Sequence, residues 1–240
     1  TEALDGSRAV RGVEHPHSLA TLHELGSLYS RQGRYTEAMP LHVEALAVSR
    51  RIHGTDHPQT LSTANNLGLL YKRMGRLDDA ERLYRETLAT RVRVLGPDHP
   101  DTLVSMNNLA HLYRALTRHE EAAALHAETL EIRRRVLGDA HPYTVMSLDN
   151  LAMLMTDLER YAEAEALHLE ALSGKRRLYG DDGPETLVSR NNLAILYTKQ
   201  DRLDEAETIY RGVLETRRSV LGDDHPDTAI SLEGLADVLV

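Results

Sequence analysis

Apolar residues recur at spacings of three and four along most of the chain, which is the pattern of helices with one buried face. In residues 57–98 two such runs follow each other: Leu61, Ala64, Leu67, Gly68 and Tyr71, then Ala80, Leu83, Tyr84, Thr87 and Leu88. Pro58 stands where the first run begins and Gly96 stands after the second, with a break at Gly75 between them. Proline suits the first position of a helix and glycine the position just past its end. The pattern therefore predicts a pair of helices.

The same unit recurs every 42 residues without insertion or deletion. A His-Pro pair marks each copy, at His15, His57, His99, His141 and His225, and Gly183-Pro184 fills the one gap. Repeat positions are counted below with this histidine, or with Gly183, as position 1. The predicted organisation is one continuous domain with five full repeats, at 15–56, 57–98, 99–140, 141–182 and 183–224. Residues 1–14 fit the end of a preceding repeat, and residues 225–240 fit the first helix of a sixth. A helix pair this short cannot bury its own apolar face, so the pairs must stack.

These residues resemble a known repeat family. Leu67-Gly68, Tyr71, Ala80, Tyr84 and Thr87 resemble the tetratricopeptide signature, here stretched to 42 residues, and the strings at 191–197 and 221–228 resemble the kinesin light chain type. The resemblance implies an all-α fold, a right-handed α-solenoid of stacked antiparallel helix pairs whose first helices line a concave groove. The fourth repeat departs from the pattern, with Met155 in place of Tyr and Asp149 in place of Asn, and the first repeat has His23-Glu24 in place of Asn-Asn. We expect those repeats to contribute differently to any shared surface.

Composition excludes several classes of protein. The chain has 28 Lys and Arg against 37 Asp and Glu, a net charge of −9, and no Cys, Trp or Phe. An acidic balance argues against a nucleic-acid partner, and no apolar run is long enough to span a membrane. The absence of Cys excludes disulfides and thiolate sites. No phosphate-binding loop, dinucleotide fingerprint or nucleophile elbow occurs, so we expect no enzyme, no cofactor and a cytoplasmic location.

Histidine is abundant, with 13 residues, yet its spacing argues against a metal site. His42, His126 and His168 share repeat position 28, where other repeats have Tyr84 and Tyr210. Equivalent residues of neighbouring repeats should lie roughly 8–10 Å apart, whereas ligands of one zinc ion each lie about 2 Å from it. We therefore expect structural histidines and tyrosines. Arg91 and Arg93 near a helix end would suit the helix dipole.

The candidate site is the face of the first helices that does not pack against other helices. By resemblance, repeat positions 6, 9, 10, 13, 16 and 17 of the first helices face the groove. They hold an Asn ladder that can donate to and accept from a peptide backbone, apolar rows for side chains, and a basic rim that favours acidic groups. The predicted groove residues are Asn65, Asn66, Leu69, Lys72, Arg73, Val104, Asn107, Asn108, His111, Arg114, Met146, Asn150, Met153, Val188, Asn191, Asn192, Ile195 and Lys199. In the competing interpretation the Asn side chains only bridge helices and the basic residues are solvated.

The sequence thus predicts a non-catalytic scaffold or adaptor that binds an extended peptide or a partner protein with apolar and acidic residues. The alternative is the sensor or autoinhibitory region of a larger STAND/NB-ARC-type signalling ATPase or protease, in which the groove holds an intramolecular segment of the longer chain or a trigger ligand. An upstream phosphate-binding loop or a Cys-His protease pair would favour the sensor, and upstream heptad repeats would favour the adaptor.

Overall fold

The computed structural model describes residues 15–239, so the partial repeat predicted at 1–14 lies outside the described residues. Within them the chain forms helices and no strand. The helices are α1 (Pro16–Arg31), α2 (Tyr35–His53), α3 (Pro58–Arg73), α4 (Leu77–Leu95), α5 (Pro100–Ala115), α6 (His119–Leu137), α7 (Pro142–Asp157), α8 (Tyr161–Tyr179), α9 (Pro184–Lys199), α10 (Leu203–Leu221) and α11 (Pro226–Val238). This confirms the predicted all-α fold of helix pairs.

The described residues form two compact units, 15–118 and 119–239. Unit 1 holds α1 to α5 and unit 2 holds α6 to α11, so the third repeat gives one helix to each. Within each unit every helix packs against the one before it and the one after it, as stacked pairs must. The single continuous domain stays a prediction.

The His-Pro pair and the terminal glycine set the helix boundaries. His57 is the N-cap of α3, and its ring Nδ1 accepts a hydrogen bond from the backbone N–H of Gln59 at 3.2 Å. The same cap recurs at His15, His99, His141 and His225, while Gly183 caps α9 with its backbone alone. Gly96, with φ of 91°, ends α4 in a conformation that disfavours side chains.

Small residues at repeat position 12 set the distance between the helices of a pair. The rings of repeat position 28 pack against them, and Tyr84 and His42 are both buried. A Cβ added to Gly68 would lie 2.5 Å from Cε1 of Tyr84, whereas one added to Gly26 would lie 3.1 Å from Nε2 of His42. Repeat 5 combines Ala194 with a tyrosine, and there the ring of Tyr210 lies against Gly234 of the next helix. Each of these two tyrosine rings thus packs against a glycine, because a Cβ atom at that position would lie too close to the ring.

In repeats 2, 3 and 5 a buried arginine at repeat position 35 joins the second helix to the next first helix. Arg91, which is 2% exposed, donates from Nη1 to Ser105 Oγ and to the carbonyl of Asp101, both at 2.8 Å. Arg133 and Arg217 make the same pair of bonds, to Ser147 and Ser231 and to the carbonyls of Tyr143 and Asp227. Burial lowers the pKa of Arg91. The main role of Arg91 is therefore this contact with the next repeat and not the predicted interaction with the helix dipole.

A second recurring arginine, at repeat position 20, covers a tyrosine ring. Its guanidinium carbon lies 4.2, 4.4, 4.1 and 3.8 Å from the ring centroids of Tyr29, Tyr71, Tyr113 and Tyr197. An acidic residue three positions later holds the guanidinium in place, as Glu205 does with Arg202 at 2.7 and 2.6 Å. Such exposed ion pairs contribute little stability individually, but they fix where the guanidinium lies.

The contact between Gly68 and Tyr84 gives a stability prediction. Gly68→Ala should destabilise the protein by about 1–3 kcal/mol, because the new methyl group meets a fully buried ring. The double variant Gly68→Ala/Tyr84→His recreates the Ala152–His168 combination of repeat 4 and should recover part of that loss. Urea unfolding measures both. Equal midpoints for Gly68→Ala and the wild type would contradict the assigned contact.

The buried histidines give a prediction about pH. Burial lowers the pKa of His42 and of His168; the Gly26 backbone partly offsets this at His42, and Asp149 partly offsets it at His168. The unfolded chain therefore binds more protons than the folded one once the pH falls below about 6.5, and the free energy of unfolding should decrease from that pH downwards.

The variant His42→Tyr should reduce this dependence, because it removes one of the two buried imidazoles and its ring would face Gly26 as Tyr84 faces Gly68. Tyr84→Phe is the matched control, since it changes no group that titrates between about pH 4 and 7. Urea unfolding at a series of pH values tests the idea. A wild-type slope in His42→Tyr would show that other groups cause the dependence.

Candidate functional site

In unit 1 the predicted groove residues lie on α3 and α5. Asn108 Nδ2 donates to Asn65 Oδ1 at 2.9 Å, which joins the first helices of neighbouring repeats. Asn65 is buried by this contact, whereas Asn66 beside it is exposed. For this pair the Asn ladder therefore bridges helices, as the competing interpretation has it, and Asn66 is the side chain with open surface.

Apolar side chains flank these amides. Leu69 and Val104 are exposed by 37% and 44%, and Asn107 is half-buried beside them in sequence on α5. Large apolar side chains gain from leaving water, so these two are able to receive the side chains of a ligand.

The ends of the first helices in unit 1 are basic. Burial lowers the pKa of Lys72, and the charge of Arg114 lowers it further. Burial also lowers the pKa of His111, with additional contributions from the charges of Lys72 and Arg114. These shifts indicate that the three side chains are close enough to repel one another. An anionic group placed near Lys72 and Arg114 would be attracted to both charges.

A cleft of about 170 Å³ lies beside this cluster, lined by residues of α1 and α3 with His42 of α2. Arg31 and Arg73, both exposed, contribute to it together with Asn66 and Leu69. Ser27 and Ser30 also line it, and Ser30 Oγ lies 3.2 Å from His42 Nε2.

The sequence prediction did not include Ser27, Ser30, Arg31 or His42. The first three occupy the same repeat positions as Leu69, Lys72 and Arg73, so the 42-residue spacing was a signal that could have found them. His42 could not be found in that way, because it belongs to the second helix α2, whereas the other lining residues belong to first helices.

In unit 2 the exposed part of the predicted site is mainly apolar. Met146, Val188 and Ile195 are 38–40% exposed, and Met153 is half-buried. Lys199 is exposed at the end of α9. Ile230 on α11 continues the row of repeat position 6 and is exposed as well. This face therefore offers apolar contact area with less positive charge than unit 1.

The amides of unit 2 differ in exposure. Asn150 and Asn192 are half-buried, whereas Asn191 is buried and its Oδ1 has no hydrogen-bond partner in the described structure. Such an oxygen favours a nearby donor, because a buried polar atom without a partner is costly. Asn191 thus differs from Asn65, whose amide oxygen accepts from the next repeat.

Asp149 is the residue that departs from the Asn pattern, and the structure explains it. Its carboxylate forms an ion pair with Lys175 of α8 and accepts a hydrogen bond from Ser189 Oγ at 2.8 Å. Lys175 occupies repeat position 35, where Arg91 and Arg217 reach a serine instead. Asp149 therefore belongs to the junction between repeats rather than to the open surface.

Two further searches concern residues 15–239 only. No three His, Asp or Glu side chains there are arranged to hold a metal ion. None of the helices in that part of the chain is long and apolar enough to cross a membrane.

Comparison with known proteins identifies the family to which the repeats belong. The tetratricopeptide repeat family model matches the chain in overlapping segments, at residues 17–91, 65–135, 107–176, 144–211 and 190–240. A comparison with curated protein sequences gives no match.

Solved structures give the same fold. The nearly identical TPR-like repeats of a Podosopora anserina protein named as a kinesin light chain share 25% identity and a TM-score of 0.76, covering 84% of this chain and 95% of that one. BtubC (BKLC) from P. vanneervenii shares 23% identity at the same TM-score of 0.76, covering 94% and 89%. The apo form of RapI, at 13% identity and a TM-score of 0.76, covers 97% of this chain and 61% of that one. The chain therefore belongs to the tetratricopeptide repeat family, with repeats similar to those of kinesin light chains.

Proposed function

We propose that this protein is a non-catalytic scaffold that binds an extended peptide of a partner protein along the first-helix faces of its repeats. Tetratricopeptide arrays are protein-interaction scaffolds, and membership of that family supports the general part of the proposal. The finer part rests on one observation, the basic cluster of Lys72, His111 and Arg114 in unit 1. A chain with a net charge of −9 places Lys72 and Arg114 close together here, and both would attract an anionic group of a ligand.

The two units offer different chemistry to a ligand. Acidic side chains suit unit 1, where Arg31 and Arg73 border a cleft next to the basic cluster. Apolar side chains suit unit 2, where Val188 and Ile195 are exposed on one helix. Exposed amides such as Asn66 can both donate to and accept from an extended peptide backbone. The preferred ligand is therefore a peptide that carries both acidic and apolar residues.

The sensor or autoinhibitory role in a larger protein stays a prediction, because it depends on sequence beyond these 240 residues. The same faces would then hold a segment of the longer chain itself. The cytoplasmic location likewise stays a prediction. The full-length gene distinguishes the two roles through the motifs that flank the repeats.

A charge-reversal experiment tests the proposed function. Random peptides displayed on phage are selected against the protein, and the affinities of enriched peptides are measured by fluorescence anisotropy. We expect enrichment of acidic residues among apolar ones. Lys72→Glu/Arg73→Glu should weaken binding by about tenfold or more, which corresponds to about 1.4 kcal/mol. Ile195→Asp should weaken binding through the apolar row.

The matched controls carry the same changes on second helices. Arg82→Glu/Arg85→Glu alters two exposed arginines of α4, and Val220→Asp alters an exposed apolar residue of α10. Neither should change the affinity by more than about twofold once the salt concentration is held at a physiological level. Equal losses in the control and test variants would show that binding follows net charge alone and would contradict the proposed site.

A further inference from the structure

A second surface, separate from the first-helix faces, lies entirely within unit 2. A cleft of about 500 Å³ opens between the second helices α6 and α8, against side chains of α7. Its lining includes four alanines, Ala123, Ala124, Ala127 and Ala166, together with the buried Met155. Arg160, the N-cap of α8, and Glu163 also line it. A mostly apolar cleft with a few charged groups is the usual form of a binding site.

The cleft lies where repeat 4 lacks an aromatic ring that its counterparts have. In repeats 1, 2, 3 and 5 the arginine of position 20 lies 3.8–4.4 Å from the centroid of that repeat's tyrosine at position 15. In repeat 4 the arginine is Arg160, and position 15 holds Met155. Glu163 nevertheless holds Arg160 through two hydrogen bonds of 2.8 and 2.7 Å, just as Glu205 holds Arg202. The guanidinium is therefore fixed by the same contacts, although its own repeat supplies no ring.

A second side chain at the same junction is also smaller than its counterparts. The residue at position 25 of the preceding repeat fills this space elsewhere: Glu165 pairs with Arg202 at 2.8 Å and accepts from the hydroxyl of Tyr197 at 3.0 Å. Glu81 likewise pairs with Arg118 at 2.8 Å. At the junction between repeats 3 and 4 this residue is Ala123. The two shortened side chains, Met155 and Ala123, leave an apolar space beside a fixed guanidinium.

We propose that this cleft, here called the aromatic seat, receives a Trp or Phe side chain from a partner protein. The seat provides the arginine and the apolar walls, and the partner provides the ring that the other repeats supply themselves. A cation held over a ring face is attractive, and the attraction is largest for Trp. Trp or Phe suits the seat better than Tyr, because Ala123 replaces the glutamate that accepts the tyrosine hydroxyl in repeat 5.

These 240 residues contain neither Trp nor Phe, so a Trp or Phe ring in the seat has to come from outside them. A second copy of the chain could offer only an exposed tyrosine, such as Tyr143 on α7. The absence of Trp also helps measurement, since a tryptophan probe is observed without background from the protein.

The experiment uses two probes, the tripeptide acetyl-Ala-Trp-Ala-amide and free indole. Binding is followed by NMR of the ¹³C-labelled methyl groups of Met155 and Ala123 and by probe fluorescence. We expect ring-current shifts of both methyl signals, tighter binding of the tripeptide than of indole, and weaker binding of the Tyr and Leu tripeptides. Arg160→Gln should weaken binding of the Trp tripeptide by about threefold.

Two variants fill the seat with residues that other repeats carry at the same positions. Met155→Tyr supplies the missing ring, and Ala123→Glu supplies the missing carboxylate; both should abolish the shifts seen at the remaining labelled methyl group. Two variants allow the test to stand if one of them fails to fold, which far-UV circular dichroism detects. Lys72→Glu/Arg73→Glu should leave probe binding unchanged, so the seat and the first-helix faces are tested independently.

Three results would overturn the proposal. Unmoved Met155 and Ala123 signals in the wild type, or full binding by both filled variants, would show that no ring enters this cleft. Indole binding as tight as the tripeptide would indicate a small-molecule site rather than a protein partner. Methyl shifts that grow with protein concentration in the absence of probe would identify a second copy of the chain as the occupant.

Discussion

The structure depends on a single constraint: a pair of short helices cannot bury its own apolar face and must use its neighbours. Every junction within a unit therefore has to be specific as well as apolar, since helices with similar faces could otherwise slide past one another. In repeats 2, 3 and 5 the buried arginine at repeat position 35 supplies that specificity, and in repeat 4 the ion pair of Lys175 with Asp149 does so. In Arg91 its charge is removed from water and held by Ser105 and a backbone carbonyl, an arrangement that tolerates no shift of one helix along the other.

Both candidate binding surfaces follow from this arrangement. The first helices turn their packing residues towards the second helices, and the positions left over form a face that is basic in unit 1 and apolar in unit 2. The aromatic seat has the opposite origin, because it appears where two packing residues of adjacent repeats, Met155 and Ala123, are too small for their place. One surface is thus a general product of the repeat, and the other is particular to one junction.

The helices and their ends could be predicted from the sequence, because proline, glycine and histidine act locally and recur every 42 residues. The buried role of Arg91 could not, since an arginine near a helix end satisfies the helix dipole equally well and its serine partner lies in another repeat. The same limit applies to Asp149, which looked like a changed groove residue. Its partner Lys175 lies 26 residues further along, and only the packing of helices brings the two together.

The absence of insertions between repeats has a consequence for how such an array can change in length. Loss of residues 141–182 would remove Asp149 and Lys175 together, so neither member of this ion pair would remain buried without the other. It would also bring Ser189 to the place of Ser147, where Arg133 could bond to it as it now bonds to Ser147. Unequal crossing-over between neighbouring copies would therefore give a shorter protein that keeps a serine opposite Arg133. That deletion would also remove Met155 and Arg160, so the gene could gain or lose the aromatic seat in one step without a new fold.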